Sequence, residues 1–352
     1  MKLKKVFFVH TGLATFVKND LDILSENYKV VTYYYKPSSK IFDKIGNVFK
    51  SIFNSAYQVV KSDILFVWFG GFHGFFPVLF ARLLGKKSIV IVGGFDASYV
   101  PSIQYGVFYH GGFQLWVTKK IYQWCTYICP VDESLIASTN YYADPSGLGF
   151  KTGILNFMDL PINKFKVIST GYDSSFFKLK TTKKSIEVLT VAKVMDGQTY
   201  KRKGFDVFIE LAGYFPNFIF KIVGLSQQMI DNIKLKVPAN VKLYGYCSQE
   251  ELIELYSNAK FYFQLSMAEG LPNSLCEAML CECIPVGSDV NGIPEAIGEM
   301  GVICFKKDIN DVVDSFNDLV SSKKFNGQSC RDRIVRLFSL ENRKKLLSEL
   351  LP

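Results

Sequence analysis

Two carboxylates flank a predicted strand-to-helix turn in the second half of the chain. Glu269 and Glu277 are separated by seven residues, and the turn between them contains Gly270 and Pro272. Gly270 permits a sharp turn, and Pro272 suits a position at or just before the first helical turn. Backbone N–H groups at a helix start can bind a phosphate group, and flanking carboxylates can accept hydrogen bonds from sugar hydroxyls. A nucleotide-sugar carries both kinds of group.

The hydrophobic pattern predicts the strand and the helix that position these carboxylates. An apolar, aromatic run of strand length at residues 259–266 precedes the turn. Apolar positions recur after the turn at near-helical spacing: Leu275, Ala278, Met279 and Ile284. Asn273 or Ser274 can cap this helix. We therefore predict a strand, a Gly-Pro turn and a helix whose N-terminus faces the end of a sheet.

Strand-like apolar runs alternate with helix-length segments along the whole chain. The first set comprises residues 6–9, 30–35, 64–69, 88–92, 127–131 and 166–169, and the second comprises 188–192, 218–223, 241–244, 260–265, 284–286 and 301–305. This alternation predicts an α/β fold with two Rossmann-like parallel sheets that face a cleft, where substrates bind at strand C-termini.

The boundaries of the two domains follow from composition. We predict an N-terminal domain at residues 1–170, a linker at 171–185, a C-terminal domain at 186–335 and a C-terminal helix at 336–352. The linker is polar, rich in lysine and without a clear period. A candidate cap, Ser339, precedes the helical pattern at the end of the chain.

The motif around the two glutamates resembles that of the retaining family 4 glycosyltransferases of the GT-B fold. The shared features are the spacing between Glu269 and Glu277 and four short motifs. These motifs are Gly-Leu-Pro-Asn at 270–273, Glu-Ala-Met at 277–279, Pro-Val at 285–286 and Gly-Ile-Pro-Glu at 292–295. Residues 167–177 resemble the interdomain signature of that family, with Thr170 in place of the usual Asn. The resemblance is strong from about residue 165 to 300 and weak before it, so it bears on the donor more than on the acceptor.

The resemblance implies roles for the residues of this motif. Glu277 would hold the ribose hydroxyls, and Glu269 would hold the hydroxyls of the donor sugar. The distal phosphate would bind to backbone amides of the turn made by Gly270, Leu271, Pro272, Asn273 and Ser274. The C-terminal helix would cross back to the first domain, as it does in GT-B relatives.

A loop with cations at both ends follows the first predicted strand of the second domain. In the family an Arg ends this strand and a Lys precedes a glycine, so Lys203 and Gly204 match directly. Lys193 stands where Arg is usual and offers a point charge in place of a bidentate fork. Arg202 is a neighbouring cation. A solvated basic loop is the alternative interpretation.

The nucleobase would lie against residues 244–248, which include Tyr246. Gly224 would allow close approach of the backbone to the nucleoside. These residues do not distinguish uracil, guanine and adenine.

The first domain carries weaker signals, which we assign to the acceptor side. Gly12 follows the first strand in a glycine loop. The alternative is that this lone glycine does no more than terminate the strand. Asp96 follows another strand at a place where relatives carry a His or an Asp near the reacting carbon, so we favour it as catalytic together with Glu269 and Lys203. His73 competes for that role, and a satisfied structural histidine is the alternative.

Two uncharged apolar stretches have more than one interpretation. Residues 64–81 approach the length of a membrane span, but three glycines and Pro77 interrupt them. A buried strand, a glycine loop and an amphipathic helix explain this stretch better. Residues 97–118 contain six aromatic residues and could form the acceptor pocket, a membrane-facing lip or ordinary core.

Charge is distributed unevenly in a chain of net charge +9. Residues 1–170 contain 18 Lys/Arg and 10 Asp/Glu, whereas residues 171–352 contain 23 and 22. This excess fits an anionic membrane surface or a lipid-pyrophosphate acceptor, and it fits nucleic acid poorly because no binding motif accompanies it. The alternative is that this charge balance only keeps the protein soluble.

Cysteine and aspartate spacing bears on redox state and metals. Eight cysteines lack a disulfide-like spacing and no signal peptide precedes them, so we expect thiols in a reducing cytoplasm, with peripheral binding to the inner membrane face as an option. Asp20 and Asp22 form a DxD tripeptide within a predicted helix, where their side chains point apart. We predict no metal ion and no cofactor.

Taken with the resemblance, the sequence predicts an enzyme of surface polysaccharide or glycolipid assembly. It would transfer a hexosyl unit, with retention, from a nucleotide-sugar to a hydroxyl of a glycan or lipid-linked glycan. One alternative is a GT-B-type epimerase or phosphorylase, which needs a catalytic acid or cofactor lysine that we do not find. Another is a non-catalytic nucleotide-sugar-binding partner of another transferase.

Overall fold

The computed structural model describes residues 3–36, 41–181, 184–322 and 324–351, with backbone only for 41–45. The strands in these ranges are β1 (Lys5–His10), β2 (Lys29–Tyr34), β3 (Ile64–Trp68), β4 (Lys87–Val92), β5 (Tyr127–Pro130), β6 (Ser138–Asn140), β7 (Phe150–Thr152), β8 (Ser185–Val194), β9 (Ile219–Leu225), β10 (Val241–Tyr244), β11 (Ala259–Gln264), β12 (Ile284–Ser288) and β13 (Val302–Cys304). The α-helices are α1 (Thr15–Asn27), α2 (Ile41–Val60), α3 (Phe72–Leu83), α4 (Val107–His110), α5 (Gly112–Trp124), α6 (Gly197–Arg202), α7 (Phe205–Tyr214), α8 (Gln227–Ile233), α9 (Gln249–Asn258), α10 (Asn273–Leu280), α11 (Gly292–Ile297), α12 (Ile309–Ser321), α13 (Gly327–Leu337) and α14 (Leu340–Leu350).

The first domain is built on a five-stranded parallel sheet with the order β2-β1-β3-β4-β5. All five residues of β3 are buried, as expected for a central strand that is covered on both faces. Right-handed crossovers place α1 on one face of this sheet and α2, α3 and α5 on the other. The last three helices pack side by side.

The sixth strand predicted for this domain, at residues 166–169, is wrong. Lys166 and Ile168 donate backbone hydrogen bonds of 3.0 and 2.9 Å to Ile128 and Pro130 on β5. The segment is assigned to no strand because it leaves the edge of the sheet after these two bonds and crosses to the second domain.

The second domain has a six-stranded parallel sheet with the order β10-β9-β8-β11-β12-β13. Its six strands coincide with the six predicted apolar runs, with ends that differ by a few residues. The sequence did not predict the short antiparallel pair β6 and β7.

Helix α14 packs against the first domain after the chain has left the second. Arg343 donates to both carboxylate oxygens of Asp20 at 2.6 Å, and both side chains are buried. The same guanidinium donates to the carbonyls of Ile168 and Ser169 in the crossing segment. Trp68 Nε1 also donates to Asp20, at 2.9 Å. The first aspartate of the DxD tripeptide therefore joins α1, α14 and the crossing segment.

The apolar stretch at residues 64–81 divides between β3 and most of α3. In the part of the chain that the structure describes, no helix has both the length and the apolar character needed to cross a bilayer. All eight cysteines are free thiols.

Candidate active site

A cavity of about 450 Å³ lies between the carboxyl ends of the two sheets. The first domain contributes Phe16, Trp68, Phe69, Gly93, Val131 and Thr170 to its lining, and the second contributes Val191, Ala192, Lys193, Arg202, Lys203, Glu269, Gly270, Leu271, Pro272, Asn273, Ser274 and Glu277. The structure thus brings together both glutamates, the three cations and the turn that the sequence singled out. We call it the donor cavity.

Helix α10 points an uncapped N-terminus into the donor cavity. The helix begins at Asn273 after Pro272, and no side chain caps it, so the predicted cap by Asn273 or Ser274 is wrong. Ser274 Oγ instead donates to Gln264 Oε1 at 3.3 Å, and Asn273 Oδ1 is buried without a partner among the described residues. The first amides of an α-helix have no intrahelical acceptor, so an anion in the cavity would meet unpaired donors and the positive end of the helix dipole.

Glu269 is held in place by hydrogen bonds from three directions. Lys203 Nζ donates to its Oε1, which also accepts from Gln264 Nε2 at 3.0 Å. Its backbone N–H donates to Asn291 Oδ1 at 3.1 Å. Burial opposes ionisation, but Lys203 and Arg202 outweigh it and lower the pKa of Glu269. Glu269 is therefore an ionised, fixed acceptor at the wall of the cavity.

Glu277 lies one to two turns into α10 and is almost fully buried. Its Oε2 accepts from the hydroxyl of Tyr256 at 3.3 Å. Burial raises the pKa of Glu277 to about 7, and the Tyr256 hydrogen bond offsets only part of this effect. This carboxylate has acceptor capacity to spare, which hydroxyl groups of a ligand can fill.

Two of the three cations that line the donor cavity lie against aromatic rings. Lys193 Nζ lies 5.4 Å from the centre of the Tyr246 ring, and Tyr246 itself is half-exposed outside the cavity lining. The guanidinium of Arg202 lies 4.8 Å from the ring centre of Tyr105, a residue of the first domain. Together with Lys203, these side chains give the cavity an excess of positive charge.

The glycines of the motif allow close backbone approach. At Gly204 (φ +71°) a Cβ would lie 2.1 Å from the Leu265 carbonyl oxygen, and at Gly224 (φ +98°) it would lie 2.3 Å from that of Ala192. Gly224 therefore packs on the end of β8, and it does not line the donor cavity. A Cβ on Gly270 would lie 2.2 Å from the carbonyl oxygen of Gly93 in the first domain. The turn of one domain thus rests directly on the turn of the other.

A second cavity of about 590 Å³ lies on the first-domain side of Phe69 and Gly93, which line both cavities. We call it the acceptor-side cavity. His73 and Asp96 both line it, whereas Gly12 lines neither cavity. Apolar and aromatic side chains form most of the remaining wall, among them Tyr35, Phe72, Phe95, Tyr105 and Val107.

Asp96 and His73 are both tied to the backbone. Asp96 accepts from the amide of Gly70 at 2.8 Å and from those of Gly93 and Gly94 at 3.1 Å. Burial raises the pKa of Asp96 although these amides oppose the shift. His73 Nε2 donates to the Trp68 carbonyl at 2.6 Å, and burial lowers its pKa to about 4, so the ring is neutral at pH 7. Asp96 therefore joins the two glycine loops that end β3 and β4.

Three residues of the site escaped the sequence analysis. Gln264 ends β11, and its buried amide links Glu269 to Ser266 and Ser274. Asn291 (φ +48°) bridges the Glu269 amide and Ser134 of the first domain. Phe69 adopts φ +71°, which is strained for an aromatic residue. A polar residue ending an apolar strand was the available signal for Gln264, whereas no local pattern marks the other two.

Comparison with solved structures defines the class of fold. The crystal structure of Anabaena Alr3699/HepE in complex with UDP and glucose superimposes with a TM-score of 0.70 over 99% of each chain, at 12% identity. Likeness at that identity shows the fold alone. The chain has the GT-B fold of two Rossmann-like domains.

Comparison of sequences finds similarity in the second domain. Residues 173–333, somewhat less than half of the chain, match the family model described as Glycosyl transferases group 1. The GPI3 subunit of phosphatidylinositol N-acetylglucosaminyltransferase from Saccharomyces cerevisiae is 28% identical over 137 residues, which is 38% of this chain and 29% of the relative. O-antigen chain mannosyltransferase B from Escherichia coli is 25% identical over 115 residues, which is 28% of this chain and 30% of the relative. The match thus spans about a third of each relative's length.

Proposed function

We propose that this protein is a retaining, family 4 type glycosyltransferase. It transfers a hexosyl unit from a nucleotide-sugar to a hydroxyl of a glycan or lipid-linked glycan. The observation that carries the proposal is the donor cavity itself, where an uncapped helix N-terminus, three cations and two buried carboxylates converge. The first two groups suit a diphosphate, and the carboxylates suit sugar hydroxyls.

The donor is proposed to lie along the cavity with its diphosphate at the start of α10. The backbone N–H groups of Leu271, Asn273 and Ser274 and the ammonium of Lys203 contact the distal phosphate, with Lys193 and Arg202 adding charge. Glu277 accepts hydrogen bonds from the ribose hydroxyls, and Glu269 accepts them from the hexose. The ring of Tyr246 flanks the nucleobase outside the cavity, where the ammonium of Lys193 lies 5.4 Å from the ring centre.

The reaction breaks the bond between the anomeric carbon and the oxygen of the distal phosphate. The bond electrons leave with the nucleoside diphosphate, whose growing charge Lys203 and the helix N-terminus stabilise. The acceptor hydroxyl forms the new glycosidic bond on the same face and passes its proton to the departing phosphate oxygen. No side chain forms a covalent intermediate in this scheme, and positioning supplies much of the rate gain.

Cationic side chains, without a divalent metal ion, are proposed to neutralise the diphosphate. Among the described residues, no three His, Cys, Asp or Glu side chains cluster so that they could hold a metal. The proposal rests on the positive charge of Lys193, Arg202 and Lys203, which already face the cavity. Activity should persist unchanged in EDTA.

The acceptor is proposed to enter through the acceptor-side cavity, which shares a wall with the donor cavity. Asp96 and His73 shape this cavity near the reacting carbon. The phosphatidylinositol and O-antigen named for the two relatives are consistent with a lipid-linked glycan, and such an acceptor would place the protein at the cytoplasmic face of a membrane.

The test is a transfer assay with UDP-, GDP- and ADP-hexoses and a panel of lipid-linked glycans. NMR of the product should show the anomeric configuration of the donor. Lys203→Ala should lower turnover by roughly a hundredfold, the effect of losing one fixed stabiliser of developing charge, whereas Lys201→Ala, which lies outside the donor cavity, should not.

The proposed function can fail in three ways. Inversion at the anomeric carbon would exclude the retaining mechanism. Binding of donor without hydrolysis or transfer would instead favour a non-catalytic partner of another transferase. Equal turnover of the Lys203 and Lys201 variants would remove Lys203 from the chemistry.

A further inference from the structure

Helix α2 presents large apolar side chains to solvent and small polar ones to the protein. Four apolar side chains follow one stripe and are 55–72% exposed: Phe49, Phe53, Tyr57 and Val60. On the opposite face Ser51 and Ser55 are fully buried, together with one apolar residue, Val59. A surface helix of a globular domain normally has the reverse arrangement. A contiguous apolar stripe that faces water indicates a surface made for a partner.

Helices α3 and α5 extend this surface, since they lie on the same face of the first sheet as α2. Leu83 is 69% exposed, Phe113 is 67% exposed and Trp116 is 47% exposed. The rings of Phe113 and Trp116 stack with centres 5.8 Å apart. We call the solvent side of these three helices the outer helix face. It carries seven exposed apolar residues: Phe49, Phe53, Tyr57, Val60, Leu83, Phe113 and Trp116.

The charge around the outer helix face is strongly positive. Residues 41–131, which span α2 to α5, contain eight Lys/Arg and three Asp/Glu. Asp96 is buried in the loop after β4, and Asp63 accepts a hydrogen bond from the amide of Lys5 at 2.7 Å. Lys61 lies 4.1 Å from the ring centre of Tyr57, and Lys50 is exposed beside Phe49. Cations therefore border the apolar stripe.

We propose that the outer helix face docks on a membrane surface that contains anionic lipids. Aromatic rings bordered by lysines suit the headgroup region, because the rings enter the interface while the ammonium groups reach the phosphates. A second copy of this chain fits poorly, because two faces with the same excess of lysine would repel each other.

The proposal rests on the proposed function, because it gives a lipid-linked acceptor a route to the site. Phe72 lines the acceptor-side cavity, and its ring lies 6.1 Å from that of Phe113 and 6.4 Å from that of Phe75. The ring of Phe75 in turn lies 5.4 Å from that of Trp116. The wall of the cavity is thus continuous with the outer helix face, so a lipid tail held in the membrane can present its head group to the cavity.

Sedimentation of the full chain with phosphatidylcholine vesicles, with and without phosphatidylglycerol, tests the docking. The double variant Phe49→Ser/Phe53→Ser should lose at least roughly tenfold in binding to the anionic vesicles. Its matched control is Leu235→Ser/Phe305→Ser, which removes two exposed apolar side chains from the second domain and should bind as wild type does.

A charge variant separates electrostatic from apolar binding. Lys50→Gln/Lys61→Gln should weaken binding by about fivefold for each lysine removed, and this loss should shrink as salt is added. Lys236→Gln/Lys242→Gln, with exposed lysines in the second domain, is the control.

Three results would overturn the docking proposal. The first is that the Phe49/Phe53 variant and its control bind vesicles equally, and the second is that the wild type binds equally to vesicles with and without phosphatidylglycerol. The third is a wild-type dimer in light scattering that is lost in the Phe49/Phe53 variant. Nucleotide binding measured without vesicles distinguishes failure of the docking proposal from failure of the proposed function. A variant that binds nucleotide but not vesicles supports docking, and vesicle binding by a protein that binds no nucleotide would remove the proposed function alone.

Discussion

At the scale of single residues, Glu277 couples the donor cavity to pH. Burial raises its pKa from 4.5 to about 7, so between these values the folded protein keeps a proton that the unfolded chain has released. The stability that this group contributes is therefore present below pH 4.5 and is lost as the pH rises through 7. The ionised carboxylate that forms above pH 7 is also the better acceptor for ribose hydroxyls. Binding and stability thus respond to pH in opposite directions.

We expect Glu277→Gln to remove this pH dependence. In the wild type, affinity for the nucleoside diphosphate should rise about tenfold from pH 6 to pH 8 through this group, because the ionised fraction rises by about that factor. Isothermal titration of both proteins isolates the effect, since the phosphate of the ligand titrates equally in both experiments. The variant should also be more stable than the wild type at pH 8, by up to about 3 kcal/mol, and equal to it near pH 4. Parallel pH profiles would contradict the assigned role.

At the scale of elements, the donor cavity depends on the contact between two glycine turns. Gly270, before α10, lies against Gly93, after β4, with no room for a side chain between them. Asn291 adds a second bridge, because its side chain contacts both the Glu269 amide and Ser134. The start of α10 is therefore positioned by the first domain as well as by its own strand.

Replacement of Gly270 by alanine should push the two turns apart. Its Cβ would lie 2.2 Å from the Gly93 carbonyl oxygen, so we expect a loss of stability of about 1–3 kcal/mol and weaker donor binding. Gly213→Ala is the control, because that glycine lies exposed in α7 with open space around it and should gain up to about 1 kcal/mol. Thermal unfolding and donor titration measure both variants. Wild-type behaviour of Gly270→Ala would show that the domains do not need this contact.

The elements of both sheets were predictable because their strands are apolar on both faces. The uncapped start of α10 was not predictable. A serine at position 274 can either cap the helix or bond to Gln264, and only the tertiary structure decides between the two. Strands β6 and β7 have three residues each, too few to show a period. Contacts such as Asn291 to Ser134 join residues 157 positions apart, and nothing in the local pattern pairs them.

At the scale of the whole molecule, the domains are joined where the chain crosses twice. The backbone N–H of Tyr172, in the first crossing, donates to the Phe338 carbonyl in the second at 2.8 Å. Arg343 fixes this junction from the first domain through Asp20 and the carbonyls of Ile168 and Ser169. These contacts hold both crossings and α14 together at one junction.

Arg343→Met should destabilise the protein by about 3–5 kcal/mol, because it leaves Asp20 buried without its counter-charge. Asp20→Asn combined with Arg343→Met should recover part of that loss. The neighbouring Lys344→Met breaks only the exposed pair with Glu26 and should leave chemical denaturation unchanged. If both methionine variants unfold alike, α14 does not anchor the junction.

Calorimetric titration with UDP-, GDP- and ADP-hexoses tests the central claim, that the donor cavity binds a nucleotide-sugar. We predict saturable binding of at least one of these donors by the wild type and its loss in Glu277→Ala, at a pH where both proteins are folded. Absence of binding for all three classes of donor, or binding that Glu277→Ala leaves unchanged, would contradict the account.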